Sequence, residues 1–91
     1  MLERNWRCDI GELDLVVRDG GEIVFVEVKA RASDRFGPAA AAVGPTKQRT
    51  LRRLAARWLV EHGETTGRRD GIRFDVVAVT GARVEVIEAA F

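Results

Sequence analysis

The chain has 91 residues, 46% of them hydrophobic and 32% charged, with a formal net charge of +1. That is enough chain for one domain of globular composition, and short enough that only about 60–65% of the unfolded surface is buried on folding. No apolar run approaches the roughly 20 residues of a membrane span and no signal peptide is visible, while a single cysteine, Cys8, excludes an internal disulfide and a thiolate zinc cluster.

A cytoplasmic protein with no membrane partner is therefore expected. Its charge is segregated. Residues 1–29 carry seven acidic and four basic side chains, and residues 30–62 carry seven basic and two acidic ones. An acidic segment beside a basic one suits a phosphate-bearing partner with a cation between them.

Leu2 to Cys8 reads as a short first strand with Trp6 packed on a sheet, and Asp9-Ile10-Gly11 as a turn. Gly11 to Lys29, GELDLVVRDGGEIVFVEVK, has the pattern of a β-hairpin around Asp-Gly-Gly-Glu. Leu13, Leu15 and Val17 alternate with Glu12, Asp14 and Val16. Val24, Val26 and Val28 alternate with Phe25, Glu27 and Lys29.

A strand has period two, so matching the apolar faces puts Glu12, Asp14, Glu27 and Lys29 together on the other face, away from Leu13, Val26 and Val28. With Gly20-Gly21 as the turn, Asp14 lies opposite Glu27. With Asp19-Gly20 as the turn, Glu12 takes that place and Asp14 is diagonal. Opposite Cβ atoms are about 5 Å apart and diagonal ones about 7 Å, so either register lets two carboxylates share one ion.

After Lys29, residues 30–45 form a long connection punctuated by Ser33, Asp34, Gly37, Pro38, Gly44 and Pro45. Residues 39–43 are expected to add one helical turn. Arg31 and Arg35 fall near the end of the Glu27–Lys29 strand. Thr46 to His62 is the clearest helix, with Pro45 at its start and Gly63 just past its end. Leu51, Leu54, Ala55, Trp58, Leu59 and His62 make one stripe at helical spacing. Lys47, Arg49, Arg52, Arg53 and Arg57 occupy much of the rest, with Arg49, Arg53 and Arg57 in a row.

Residues 63–71 read as a polar loop. Arg73 to Val79 reads as a buried strand, and Arg83 to Glu88 as a last alternating one. The span from the Glu27 strand through the helix to Arg73 has βαβ length, which makes those two strands parallel. The fold class expected is α/β, a mixed sheet with an antiparallel hairpin and a βαβ crossover, in a single domain over 1–91.

The chemistry lies in Asp14 and Glu27-Val28-Lys29, with Glu12 as an extra carboxylate. Two carboxylates and a backbone carbonyl make a hard oxygen site suited to Mg²⁺ or Mn²⁺. Such an ion acidifies a bound water and polarises a phosphoryl oxygen, and a lysine ammonium beside it stabilises the growing charge. That combination implies metal-assisted phosphodiester hydrolysis. Glu-x-Lys alone is weak, because alternating charges also protect sheet edges; the shared face on adjacent strands raises it. His62, the one histidine, lies on the apolar helix stripe and packs or caps. Asp75, opening an apolar strand, is expected to pair with an arginine rather than join the site.

The blocks ERNWRCDIGELDLVVRDGGEIVFVEVKAR, FG, VGPTKQRTLRRLAARWLV and RFDVVAV, with the terminal Phe91, resemble the YraN family of small bacterial proteins. The resemblance spans nearly the whole chain. It implies a restriction-endonuclease-like core of the PD-(D/E)xK nuclease superfamily, similar to archaeal Holliday junction resolvases. By that resemblance Asp14, Glu27 and Lys29 carry metal and catalysis, and Lys47 or Gln48 supplies a polar group from the following helix. The superfamily's N-terminal helix has no counterpart before the first strand, which implies a truncated chain or a homodimer. Leu13 stands where a proline often precedes the aspartate. The function expected is a Mg²⁺- or Mn²⁺-dependent endonuclease acting on DNA, branched DNA included. The alternative is a nucleic-acid-binding accessory module of repair or recombination with little turnover. Phosphate contacts are expected from Arg31, Arg35, Lys47, Gln48, Arg49, Arg52, Arg53 and Arg57.

Overall fold

The computed structural model describes residues 1–32, 43–66 and 71–91. Arg35, and most of the helical turn expected at 39–43, lie outside the described residues. The chain runs β1 (Glu3–Cys8), β2 (Gly11–Asp19), β3 (Glu22–Arg31), α1 (Pro45–Thr66), β4 (Gly71–Thr80) and β5 (Arg83–Ile87). The five strands form one sheet in sequence order. All neighbours are antiparallel except β3 and β4, which pair in parallel from Glu22–Gly71 to Arg31–Thr80 across the helical crossover. This is the mixed α/β architecture expected, compatible with a restriction-endonuclease-like core.

The hairpin settles on the Gly20-Gly21 turn, because Asp19 pairs with Glu22. Gly20 has φ +60°, a left-handed conformation that a two-residue hairpin turn requires and a side chain resists. The helix starts at Pro45, as expected. The Gln48 N–H donates to the Gly44 carbonyl at 2.9 Å, closing the first turn, and the Gln48 Nε2 donates to the Val43 carbonyl at 2.9 Å. The helix does not stop at Gly63 but continues to Thr66. Gly63 is not among the glycines with positive φ, so it does not act as a left-handed terminator.

One core lies between α1 and one sheet face. Leu51, Leu54, Ala55 and Trp58 pack there with Val16, Ile23, Phe25, Phe74 and Val76, and Leu59 sits at the margin. His62 stacks on Trp58 at 4.7 Å, meets Trp6 edge-on at 6.0 Å, and sets its Nδ1 3.0 Å from the Trp58 carbonyl. Phe91 stacks on Phe74 at 4.9 Å, and the Ala90 N–H donates to the Phe74 carbonyl.

Because Ile23 and Phe25 face the helix, strand alternation places Glu27 and Lys29 on that face too. The opposite face carries Leu15, Val17, Val24, Val26 and Val28, continued by Val77, Val79, Val84 and Val86. Val28, Val84 and Val86 are 41%, 60% and 60% exposed.

Leu13 departs from the expected face. It is buried in the helix-side core with Val16, although the two are three residues apart and a straight strand would turn them to opposite sides. The pairing explains the departure. The β2–β3 ladder runs from Asp19–Glu22 to Leu15–Val26 and ends there. The β1–β2 ladder skips Asn5, which has φ 53°. The strand therefore changes face at Asp14.

At the far end of the sheet Arg73 ties β4 to the hairpin. Its guanidinium donates to both Asp75 oxygens at 2.9 and 3.1 Å, to Glu22 at 3.1 Å and to Asp19 at 3.0 Å. Asp75 is buried and also accepts from the Ala89 N–H at 3.0 Å. The arginine pairing expected for Asp75 is thus present. No helix among the described residues is long and apolar enough to cross a membrane.

Candidate metal centre

The break in β2 creates the site. Beyond Leu15–Val26 the β2–β3 ladder gives way, and the Val28 N–H donates to Asp14 Oδ2 at 2.9 Å instead of a backbone carbonyl. The carboxylate thereby takes over a sheet bond. Within a strand, a residue's carbonyl leaves on the same side as its N–H, so the Val28 oxygen faces the same gap.

Glu27 lies beside Asp14. It is 7% exposed, lies close enough for the Asp14 carboxyl to act on its own carboxyl, and forms an ion pair with Lys47 Nζ at 3.4 Å. Burial first, then the neighbouring Asp14, pushes the Glu27 carboxyl up to about 7, and Lys47 opposes the shift. Two carboxyls set side by side in a sheltered position form a pair whose second negative charge needs a cation.

Lys29 is exposed, two residues beyond Glu27 on the same face. Glu12 is held elsewhere, with Oε2 2.9 Å from Arg7 Nε across the β1–β2 ladder. Among the described residues no three His, Cys, Asp or Glu side chains converge, so the structure brings together Asp14 and Glu27 but not Glu12.

The donor set fits a hard divalent ion. Two carboxylates and a nearby backbone carbonyl, open on one side to water, suit Mg²⁺ or Mn²⁺, which retain several waters. They suit zinc less well, since zinc more often takes His and Cys ligands, and neither His nor Cys is among the donors described at this site.

The basic residues are divided by their contacts. Arg57 is tied to Glu61 at 2.7 Å and Asp9 at 3.2 Å. Arg52 lies over the Phe74 and Phe91 rings at 5.1 and 5.4 Å. Gln48 braces the helix start, and Arg31 Nε donates to Thr80 Oγ1 at 3.4 Å. Arg49 and Arg53 are exposed one turn apart, and Arg49 Nη2 donates to Thr46 Oγ1 of its own turn at 3.3 Å.

The sequence pattern of the uncharacterised protein family UPF0102 matches residues 1–79. The chain belongs to this family, the YraN family. It is 52% identical to a UPF0102 protein of Frankia alni over all of this chain and 78% of that protein. It is 57% identical to one of Beutenbergia cavernae, over 91% of this chain and 68% of that protein. A UPF0102 protein of Alkalilimnicola ehrlichii is 48% identical over all of this chain and 71% of its own length.

Proposed function

We propose that this member of the family is a divalent-metal-dependent nuclease that hydrolyses DNA phosphodiesters, with branched DNA among its substrates. The observation that carries the reading is the meeting of Asp14 and the sheltered Glu27 where the β2–β3 ladder opens. A purely structural acidic face would leave these carboxylates solvated. Here one replaces a sheet bond and the other is buried against it.

Asp14, Glu27 and the Val28 carbonyl would hold Mg²⁺ or Mn²⁺, which when bound acidifies a water and polarises a phosphoryl oxygen. Asp14 is oriented by the Val28 N–H, which fixes one of its oxygens and leaves the other for a ligand role. Glu27 supplies the second negative charge. Lys29, farther along the same exposed strand end, places an ammonium where charge grows on the phosphate or where a water must be aimed. Arg49 and Arg53, exposed on α1, would add phosphate contacts along the helix.

Cleavage of linear, flapped and four-way DNA, with Mg²⁺ or Mn²⁺ and with chelator, tests the reading. Wild type should cut only with metal. Asp14→Asn and Glu27→Gln should lose both metal binding and cleavage. Lys29→Ala should keep metal binding and fold while losing cleavage. A wild-type protein that binds metal and DNA but cuts none of these substrates would instead be the accessory module of repair or recombination.

A further inference from the structure

The lysine that reaches Glu27 in the structure is Lys47, on α1, whose Nζ stands 3.4 Å from Glu27 Oε2. It is not Lys29, the lysine of the Glu-x-Lys pattern. Glu27 is buried beside Asp14, and among the described residues Lys47 is the cation paired with it, so an ammonium compensates a two-carboxyl site. The hold is loose. A charge-assisted hydrogen bond is commonly about 2.7–2.9 Å, shorter than this contact. The Lys47 side chain is also 49% exposed.

The position of Lys47 on the helix points the same way. It lies in the first turn, where the helix dipole disfavours a cation, and that turn contains no acidic residue to offset it. The helix itself therefore gives Lys47 no reason to stay. Its flexible four-carbon stem can swing its head from Glu27 to solvent without moving the backbone.

We propose that Lys47 is the resident cation of the Asp14–Glu27 pair: it neutralises the metal-free site and is displaced when a divalent ion binds. This inference rests on the metal-centre reading above but not on the nuclease reaction. Displacement leaves the ammonium beside the occupied site, where the group it can next engage is a phosphodiester oxygen. Lys47 is then a positioning residue. It keeps two carboxyls together without metal and yields them on loading. The exchange also makes metal affinity weaker than the two carboxylates alone would give.

The test is Mn²⁺ titration by calorimetry of wild type, Lys47→Met, Lys47→Gln and Lys29→Met. It is run at about pH 8 for all four proteins. Lys47→Met and Lys47→Gln should each bind Mn²⁺ about five- to tenfold more tightly, because a like charge next to the ion has been removed. Lys29→Met should change affinity less. In chelator the Lys47 variants should melt below wild type, and Mn²⁺ should raise their melting temperature by more.

Unchanged or weaker Mn²⁺ binding by both Lys47 variants would overturn the exchange and leave the nuclease reading standing. Tightening in Lys29→Met alone would make Lys29 the resident cation and overturn it equally. Absence of Mn²⁺ binding at millimolar concentration in every protein would overturn it together with the metal centre. Tighter binding by the Lys47 variants with no DNA cleavage by wild type would uphold the exchange while the nuclease reading fails.

Discussion

Glu27 makes the candidate site sensitive to protons. Its carboxyl titrates near 7 in the folded chain against an ordinary 4.5. Between those values the folded protein holds a proton that the unfolded chain releases. Stability from this group is therefore fully present below about pH 4.5, falls as pH rises toward 7, and is flat above. Urea melts of wild type and Glu27→Gln across this window, in chelator, isolate the effect. The stability difference between the two should move in favour of the variant as pH rises, and a pH-independent difference would show that Glu27 is not held protonated by its surroundings. Saturating Mn²⁺ should remove the slope, because the ion replaces the proton. At this scale much was legible in the sequence. Alternation alone placed Asp14 and Glu27 on adjacent strands, whereas the choice between the two possible turns comes from the structure, where Asp19 pairs with Glu22. The Lys47–Glu27 contact was not legible, since it depends on where the first helical turn settles over the sheet.

The helix and β2 show where periodicity succeeds and fails. The stripe of Leu51, Leu54, Ala55 and Trp58 is buried as its spacing requires, because a two-layer fold gives a helix one apolar partner. Leu54 is fully buried, and Leu54→Ala should cost about 2–5 kcal/mol, a large share of a small domain's stability. Chemical denaturation reads this directly, and a loss below about half a kcal/mol would be the value of a surface position, not a core one. The end of the helix was misread, since Gly63 stops a helix only where it turns left-handed. In β2 the apolar residues fall on both parities: Leu13, Leu15, Val16 and Val17. A single alternation could not tell that Leu13 and Val16 share a side. The bend at Asp14 joins the two halves and opens the ladder beside the candidate metal site.

Across the whole molecule, the acidic segment 1–29 and the basic helix meet, among the described residues, where Lys47 touches Glu27 and where Arg57 pairs with Asp9. The row of arginines along α1 is less uniform than its spacing suggested. Arg57 is neutralised by Glu61 and Asp9, and Arg52 is drawn over two phenylalanine rings, contacts that no helical period encodes. Arg49 and Arg53 remain the exposed pair best placed for phosphate. DNA affinity should fall steeply with salt, because each neutralised phosphate contributes roughly −0.9 to the log–log slope on duplex DNA. Arg49→Glu with Arg53→Glu should weaken binding and flatten that slope by nearly two, which fluorescence anisotropy over a salt series measures. Arg57→Glu should change the slope less, because that charge is already shared within the protein, and should lower thermal stability by setting a carboxylate against Glu61 and Asp9. Equal losses of DNA affinity from Arg57 and from the Arg49–Arg53 pair would mean that bound DNA pulls Arg57 out of its ion pairs. The phosphate path would then run the length of the helix, from the metal centre at its first turn to the Asp9 turn.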